Sequence, residues 1–210
     1  MKRLALLGAG GHGKVTADAA LAGGWASVAF FDDSWPQRDR NGHWPIVGDE
    51  ASLMAQLSVF DGVLVSLGDC AVRWNKQQAL QAAGARMATV VHPGATVSRY
   101  ARLGAGTVVM AGAVVNVDVE VGPAGIINTG ATVDHDCRLA EAVHICPGAH
   151  LSGSVQVGRC SWVGVGAAVK QGMVIGQRVM VGAGAVVVGP VADGLTVMGN
   201  PARPRVSRNT

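Results

Sequence analysis

The feature of this sequence that most constrains its fold is a six-residue period of aliphatic residues that runs from Val91 to Val187. Valine, leucine or isoleucine occupies every sixth position in this range without interruption. Such a period is the signature of a parallel β-helix, in which one short strand and one turn use six residues. Three such units close a triangular coil, so each aliphatic side chain is expected to point into the prism. Each coil should then contact only the coils above and below it.

Glycine commonly follows the aliphatic position of the repeat, for example at Gly104, Gly122 and Gly158. Because glycine reaches a positive φ without steric cost, we expect these residues to adopt the left-handed conformation at the turns. No unit of the repeat carries an inserted loop. An active site in this region must therefore use the surface of the prism itself.

The residues before the repeat lack this period and consist of alternating strand-like and helix-like runs. The strand-like runs are "RLALLGAG", "SVAFFDD" and "GVLVSLGD", and the helix-like runs include "HGKVTADAALAGG" and "AVRWNKQQALQAAG". This alternation predicts a small parallel α/β sheet. We therefore expect a Rossmann-like α/β half domain over residues 1–90 and an all-β parallel β-helix over residues 91–210, with the boundary near His92.

A glycine-rich loop joins the first predicted strand to the first predicted helix. Gly8, Gly10 and Gly13 have the GxGxxG spacing, and glycine here lets the backbone approach a phosphate at a helix N-terminus. The segment is long enough for one mononucleotide-binding half only, so it favours a nucleoside diphosphate over NAD. We expect Gly10, Gly11 and His12 to face phosphate or sugar. The alternative is a glycine turn that serves only strand–helix packing.

Two acidic residues close the second predicted strand. Asp32 and Asp33 follow "VAFF" roughly twenty residues after the glycine loop, where dinucleotide-binding folds place an acid that binds ribose. We therefore expect these two carboxylates to face the base or the ribose of the ligand.

The segment "INTGATVDHDCRL" places His135 between two aspartates in an otherwise aliphatic repeat. Histidine has a reference pKa of about 6.5 and is the usual general base near neutral pH. A carboxylate on its second ring nitrogen fixes the tautomer and raises the basicity of the ring. Neighbouring residues of a strand point to opposite faces, so the sequence leaves open whether Asp134 or Asp136 contacts His135. His144 and His150 are also expected to point outward or to lie at corners.

Composition and charge exclude several classes of protein. The formal net charge of +3 is too small to indicate nucleic-acid binding, and no apolar run approaches the roughly 20 residues of a membrane helix. The four cysteines lack CxxC or zinc-ligand spacing, which favours free thiols in a reducing cytoplasm and no bound metal.

Six segments distributed over nearly the whole chain form a recognisable set. They are "GAGGHGKV" from Gly8, "FFDD" from Phe30, "SLGD" from Ser66, "IINTGATVDHDC" from Ile126, "VHICPGAHLSG" from Val143 and "GNPAR" from Gly199. With them the chain resembles the left-handed β-helix acyltransferases with hexapeptide repeats. It is most similar to the branch that contains nucleotide-4-amino-sugar N-acetyltransferases and sialic-acid O-acetyltransferases.

The resemblance implies an acetyl-CoA-dependent N-acetyltransferase that acts on a nucleotide-linked 4-amino-4,6-dideoxy sugar by direct attack, without a metal or a covalent nucleophile. It implies a homotrimer with its sites between neighbouring β-helices, and it assigns nucleotide-sugar binding to the first domain and acetyl transfer to the second. The nucleotide (UDP, GDP or dTDP) and the exact sugar stay open.

The resemblance also implies roles for individual residues. His135 would be the base and Asp136 its partner, His144 would lie beside the thioester of acetyl-CoA, and Asn128 would lie near the sugar. The remaining ligand contacts would come from the backbone around Gly153, Val165 and Ala183 for acetyl-CoA, and from Gly10, Gly11, His12, Asp32, Asp33 and Gly68 for the nucleotide.

Three alternative functions fit parts of the sequence. A sugar O-acetyltransferase would use the same histidine as base. A γ-type zinc carbonic anhydrase would need three histidines, such as His135, His144 and His150, to converge on zinc, and would leave the α/β domain without a role. A non-enzymatic scaffold or ice-binding solenoid would need a regular outward array, whereas the outward positions here are irregular.

Overall fold

The computed structural model of the chain describes residues 1–205, which form an N-terminal five-stranded sheet flanked by helices, followed by a three-sided β-helix. Every helix within residues 1–205 is too short or too polar to span a lipid bilayer.

The N-terminal sheet follows the predicted alternation of strands and helices. Strand β1 (Arg3–Leu7) pairs in parallel with β2 (Ser27–Phe31) on one side and with β5 (Gly62–Val65) on the other. The side chains of β1 alternate, so that Leu4 and Leu6 pack on the side of helix α1 while Ala5 and Leu7 pack on the opposite side. The helices are α1 (Gly11–Ala22), α2 (Glu50–Ala55) and α3 (Cys70–Ala82), with a 3₁₀ turn at Leu57–Val59.

One edge of this sheet differs from the prediction of an entirely parallel sheet. Strands β3 (Arg40–Asn41) and β4 (Trp44–Gly48) form an antiparallel hairpin, and β4 pairs in parallel with β2. The strand order is therefore β3-β4-β2-β1-β5. The turn uses Gly42 with φ of 62°, a conformation that glycine adopts without steric strain.

The β-helix consists of two- and three-residue strands arranged in three sheets. The first sheet contains Val90–Val91, Val108–Val109, Ile126–Ile127, His144–Ile145, Trp162–Val163, Met180–Val181, Thr196–Met198 and the antiparallel Arg203–Pro204. The second sheet contains Thr96–Val97, Val114–Val115, Thr132–Val133, His150–Leu151, Ala168–Val169 and Val186–Val187. The third sheet contains Arg102–Leu103, Glu120–Val121, Arg138–Leu139, Gln156–Val157 and Val174–Ile175.

The aliphatic residue at every sixth position fills the prism, as the period predicts. Each strand pairs in parallel with the equivalent strand one coil away, for example Val115 with Val133. In the parallel strands from Val90–Val91 to Thr196–Met198, the second residue belongs to or packs against one continuous apolar cluster, in which Ile127, Ile145 and Val163 are fully buried. The first residue of each strand consequently points outward.

The turns of the β-helix use positive φ, but at positions other than those expected. Gly104, Gly122 and Gly158 are not left-handed; a Cβ on Gly104 would lie 2.5 Å from the backbone nitrogen of Pro123 in the next coil. These glycines permit close stacking of coils. The left-handed residues come two places later and include Asp136 and Ala142.

The α/β unit packs directly on the first sheet of the β-helix. The outward residues Val108 and Met110 belong to the same buried cluster as Leu4 and Leu6. Helix α3 lies along the corner between the third and first sheets, where Gln77 Nε2 donates to the carbonyl of Ala105 at 2.8 Å. This packing fixes the carboxyl edge of the N-terminal sheet against the coils.

Candidate functional site

The glycine loop lies at the carboxyl edge of the N-terminal sheet, where β1 leads into α1. Gly8 has φ of 107°, and a Cβ on Gly13 would collide with the carbonyl of Gly8, so both glycines are required by the tight strand–helix turn. A Cβ on Gly10 or Gly11 would meet nothing within 4 Å. The packing explanation therefore accounts for Gly8 and Gly13 only, and the other two leave the backbone at the N-terminus of α1 open to a ligand.

The two aspartates after β2 have different surroundings. Asp32 Oδ2 accepts from the backbone N–H of Ala9 at 2.6 Å, and Oδ1 accepts from the backbone N–H and hydroxyl of Ser34. Partial burial raises the pKa of Asp32, but the bonds from Ser34 and Ala9 and the charge of Arg38 outweigh it, so the pKa is lowered. Asp32 thus holds the glycine loop in place. Asp33 is exposed beside it and is free to face a ligand.

His144 and His12 meet where this edge contacts the β-helix. The imidazole of His144 points outward from the first sheet, yet it is only 4% exposed because the α/β unit covers it. Its ring centroid lies 4.1 Å from that of Trp162 and 6.2 Å from that of His12. Burial lowers the pKa of His144 to about 3, with further lowering by Arg73 and His12, and burial lowers the pKa of His12 to about 4. Both rings are therefore neutral at physiological pH.

Asn128 lies next to His144, at the corner between the first and second sheets and one coil before it. Its Oδ1 accepts from the backbone N–H of Thr129 at 2.8 Å, and its Nδ2 lies 3.1 Å from Nε2 of His144. The side chain is half-buried, so part of the amide faces solvent. Gly68 follows β5 at the carboxyl edge of the N-terminal sheet, and a Cβ at this position would meet nothing within 4 Å.

Arg73 connects the loop after β5 to the β-helix, and it was not identified from the sequence. Its guanidinium is 1% exposed and donates to the carbonyls of Leu67 and Gly68 in the loop after β5, at 2.9 and 2.8 Å. It also donates to the carbonyls of Ala124 and Ala142 at the corner of the β-helix, both at 2.8 Å. An arginine inside an amphipathic helix is usually a surface residue. Nothing in the sequence distinguishes this one.

His135 lies at another corner, between the second and third sheets, and pairs with Asp136. Nδ1 of His135 is 2.7 Å from Oδ2 of Asp136, and the pair is more than half exposed. Asp134 does not hydrogen-bond to the ring: it accepts from Nδ2 of Asn116 at 2.8 Å and from the backbone N–H of His135 at 3.0 Å. The hydrogen bond that the ring donates to Asp136 raises the pKa of His135, against a smaller opposing effect of desolvation. The structure thus decides between the two aspartates that the sequence left open.

Gly153 lies one coil above His135 and supports its ring. A Cβ at this position would be 2.5 Å from Cε1 of His135, closer than two carbon atoms can approach. Glycine is therefore required here by the position of the imidazole.

Val165 and Ala183 lie on a different corner, between the first and second sheets. They are eighteen residues apart in one column, both exposed, and Gly184 donates its backbone N–H to the carbonyl of Val165 at 2.8 Å. They form an apolar ridge on the corner that also carries Asn128. Gly153 does not belong to this ridge, so the three backbone positions assigned to acetyl-CoA occupy two corners of one chain.

The candidate residues thus form two groups. The first group comprises the glycine loop, Asn128 and His144 on the side of the α/β unit, and the second group comprises His135, Asp136 and Gly153 at the corner opposite the first sheet. Within one chain the prism separates the two groups. Asn128 and His135 nevertheless belong to the same coil, so their heights along the axis differ by at most about 5 Å, the strand spacing.

The four cysteines are free thiols. Cys137 and Cys146 are fully buried, and burial raises the pKa of Cys146 to about 12 and also raises the pKa of Cys137. Within residues 1–205, no three His, Cys, Asp or Glu side chains are grouped as metal ligands.

A β-helix that carries an exposed histidine–aspartate pair, preceded by a glycine-loop α/β unit, defines the class of hexapeptide-repeat acyltransferases. A family model described as the PglD N-terminal domain matches residues 3–80. The chain belongs to the family of hexapeptide-repeat sugar N-acetyltransferases with this N-terminal domain, and its β-helix is left-handed.

Three similar proteins support this membership. A histidine-to-asparagine variant of perosamine N-acetyltransferase from Caulobacter crescentus, in complex with CoA and GDP-perosamine, is 38% identical over 98% of both chains with a TM-score of 0.93. The acetyltransferase domain of PglB from Neisseria gonorrhoeae, in complex with acetyl coenzyme A, is 41% identical over 97% of this chain and 99% of that one, with a TM-score of 0.90. UDP-N-acetylbacillosamine N-acetyltransferase from Bacillus subtilis is 36% identical over 113 residues, which cover 53% of this chain and only 52% of that protein.

Proposed function

We propose that this protein transfers the acetyl group of acetyl-CoA to the amine of a nucleotide-linked amino sugar, of the 4-amino-4,6-dideoxy class. The observation that carries the proposal is the exposed His135–Asp136 pair, on a chain 38% identical along its length to an enzyme solved with CoA and GDP-perosamine. Residues 1–90 would bind the nucleotide sugar and residues 91–210 would carry out the transfer. The free thiols favour the reducing cytoplasm.

His135 has the geometry of a general base in this reaction. Asp136 accepts a hydrogen bond from the N–H at Nδ1, so the lone pair of the neutral ring is on Nε2. The amine nitrogen forms a bond to the thioester carbonyl carbon, and its proton passes to Nε2. The carbon–sulfur bond then breaks, and the thiolate of CoA takes up the proton. A base of this kind contributes about 10²- to 10⁴-fold to the rate.

No covalent nucleophile is required, because a thioester is already activated. The remaining work is positioning of the amine against the thioester, which can supply about 7 kcal/mol or more when the bound geometry is favourable. The exposed ridge of Val165 and Ala183 offers a surface along which the pantetheine chain could lie. The open backbone at Gly10, Gly11 and His12 offers N–H groups for the diphosphate.

The separation of the two residue groups within one chain supports a homotrimer. A cyclic arrangement about an axis parallel to the β-helix would bring the Asn128 corner of one copy against the His135 corner of the next copy at the same height. Each of the three clefts would then contain one complete site.

A thiol-release assay tests the proposed function. Purified protein is incubated with acetyl-CoA and a panel of UDP-, GDP- and dTDP-linked 4-amino sugars, together with the corresponding 4-hydroxy sugars. We expect CoA release with at least one amino sugar, loss of at least about a hundredfold in kcat for His135→Ala, and no loss for His43→Ala, an exposed histidine on the β3–β4 turn. Turnover of hydroxy sugars alone would favour the O-acetyltransferase, which uses the same base.

A further inference from the structure

The contact between His144 and Asn128 has one arrangement that satisfies both side chains. Oδ1 of Asn128 is occupied by the backbone N–H of Thr129, so the amide presents Nδ2 to the imidazole. Nδ2 can only donate, and Nε2 of His144 must therefore accept. The neutral ring then carries its proton on Nδ1, a buried atom without a hydrogen bond of normal geometry within residues 1–205, while a contact between the ring and the backbone of Gly68 partly offsets the lowering of the His144 pKa.

The surroundings of His144 hold the ring in this state. The ring is covered by Trp162 and His12, and the buried guanidinium of Arg73 adds a positive charge nearby that disfavours protonation. The same burial keeps the ring from solvent, since His144 is only 4% exposed. A thioester could not reach it without displacement of the indole or of the α/β unit.

Asn128 is the polar side chain through which His144 reaches the surface. Its Nδ2 carries two hydrogens, of which one goes to His144 and the other has no acceptor within the described part of the chain. The amide is half-buried at the corner that faces the glycine-loop edge. The backbone N–H of Thr129 holds Oδ1 and Nε2 of His144 holds one hydrogen of Nδ2, so the two contacts together fix the rotation of the amide and the direction of the second N–H.

We propose that His144 is a positioning residue that acts through Asn128: its Nε2 locks the amide so that the second N–H points to a hydroxyl or ring oxygen of the acceptor sugar. The inference rests on the proposed function, because it names the sugar as the group that Asn128 contacts. It differs from a contact between His144 and the thioester, which the resemblance implies.

Steady-state kinetics with both substrates separate the two roles. His144→Phe keeps an aromatic ring in the cavity but removes the acceptor, and we expect it to raise KM for the nucleotide sugar about tenfold, the loss of one hydrogen bond. KM for acetyl-CoA stays within about twofold. His144→Gln can accept through Oε1, and we expect its KM for the nucleotide sugar to return most of the way to the wild-type value. The control His43→Phe leaves both KM values unchanged.

A double-mutant cycle then tests whether His144 acts through Asn128. We expect the double variant His144→Phe/Asn128→Ala to have a KM for the nucleotide sugar no higher than that of Asn128→Ala alone. Independent, multiplying effects of the two substitutions, or an increase in KM for acetyl-CoA with His144→Phe, would overturn the inference.

The ring tautomer provides a readout that does not depend on turnover. Nitrogen-15 spectra of labelled protein should show His144 protonated at Nδ1 and bare at Nε2 from pH 5 to 8, with an Nε2 shift that moves in Asn128→Ala. A proton on Nε2 would overturn the inference whatever the substrate is. Lack of turnover with every amino sugar, combined with the expected tautomer, would instead count against the proposed function.

Discussion

His135 Nδ1 and Asp136 Oδ2 lie 2.7 Å apart, although the two residues are neighbours in sequence and Asp136 has φ of 60°. In an extended strand their side chains would point to opposite faces. The left-handed conformation of Asp136 turns its carboxylate back toward the imidazole. The sharp corner of the β-helix thus creates the pair, and the pair raises the pKa of His135.

Replacement of Asp136 by asparagine should shift the pH dependence of the reaction. A general base must be unprotonated, so activity falls as the pH drops below the pKa of His135. Because Asp136 raises that pKa, Asp136→Asn should move the acid limb of the kcat/KM profile to lower pH while reducing the maximal kcat about tenfold or more. A profile whose acid limb stays in place would show that Asp136 does not set the pKa. Asp118→Asn, in the same corner column one coil below and also left-handed, is the matched control.

Gly153→Ala should impair catalysis with little effect on the fold. The added methyl group would occupy the position of the His135 ring, which can swing away into solvent because it is exposed. We expect kcat to fall at least about tenfold, since general-base catalysis requires the ring within hydrogen-bond reach of the amine, while the thermal midpoint changes little. Gly189→Ala, at a glycine with open space around its Cα, controls for the substitution itself. Unchanged kcat would mean that the ring position is unimportant.

Arg73→Met should destabilise the protein much more than substitutions of surface arginines. Four carbonyl groups would lose their donor, and each buried polar group left unsatisfied costs about 1–3 kcal/mol. We expect the free energy of unfolding in urea to fall by at least about 3 kcal/mol, and Arg73→Lys to recover only part of this loss because an ammonium group cannot reach all four carbonyls. Arg159→Met, on an exposed turn, should cost less than about 0.5 kcal/mol. Equal losses for both sites would contradict the bridging role of Arg73.

Gly11→Glu should stabilise helix α1 and at the same time weaken substrate binding. A carboxylate in the first turn of a helix is favourable by about 0.3–1 kcal/mol, and a Cβ here meets nothing within 4 Å. The same negative charge would repel a diphosphate at this N-terminus. We therefore expect a higher KM for the nucleotide sugar without a loss of stability, and little change for Gly11→Ala. An unchanged KM in Gly11→Glu would place the phosphates elsewhere.

The fold was predictable because its main signals are periodic. Seventeen aliphatic positions in step, from Val91 to Val187, determine the β-helix without reference to anything else. Short sequence patterns did not predict two local features: the backbone conformation of Gly104, which depends on the neighbouring coil, and the hairpin at the edge of the N-terminal sheet. Gly104 stacks closely on Pro123 of the next coil instead of taking a positive φ, and the β3–β4 hairpin is too short to show a strand pattern.

The candidate site was only partly accessible from the sequence, for a physical reason. His135 and the glycine loop stand out locally, since a histidine between acids and a GxGxxG spacing are visible in any short window. Arg73 and the burial of His144 depend on how the α/β unit packs against the coils. That packing joins residues far apart in the chain, and no local pattern encodes it.

Complementation between two impaired variants tests whether each site combines the glycine loop of one copy with His135 of a neighbouring copy. His135→Ala and Gly11→Glu proteins are each assayed alone, at a nucleotide-sugar concentration far below the KM of Gly11→Glu, then mixed in equal amounts, dissociated, reassembled and assayed again. Random mixing should leave about a quarter of the clefts with both groups intact, so about a quarter of the wild-type activity should return. If the site were contained within one chain, no mixed assembly would have an intact site, and activity that stays at the level of the separate variants would contradict the account.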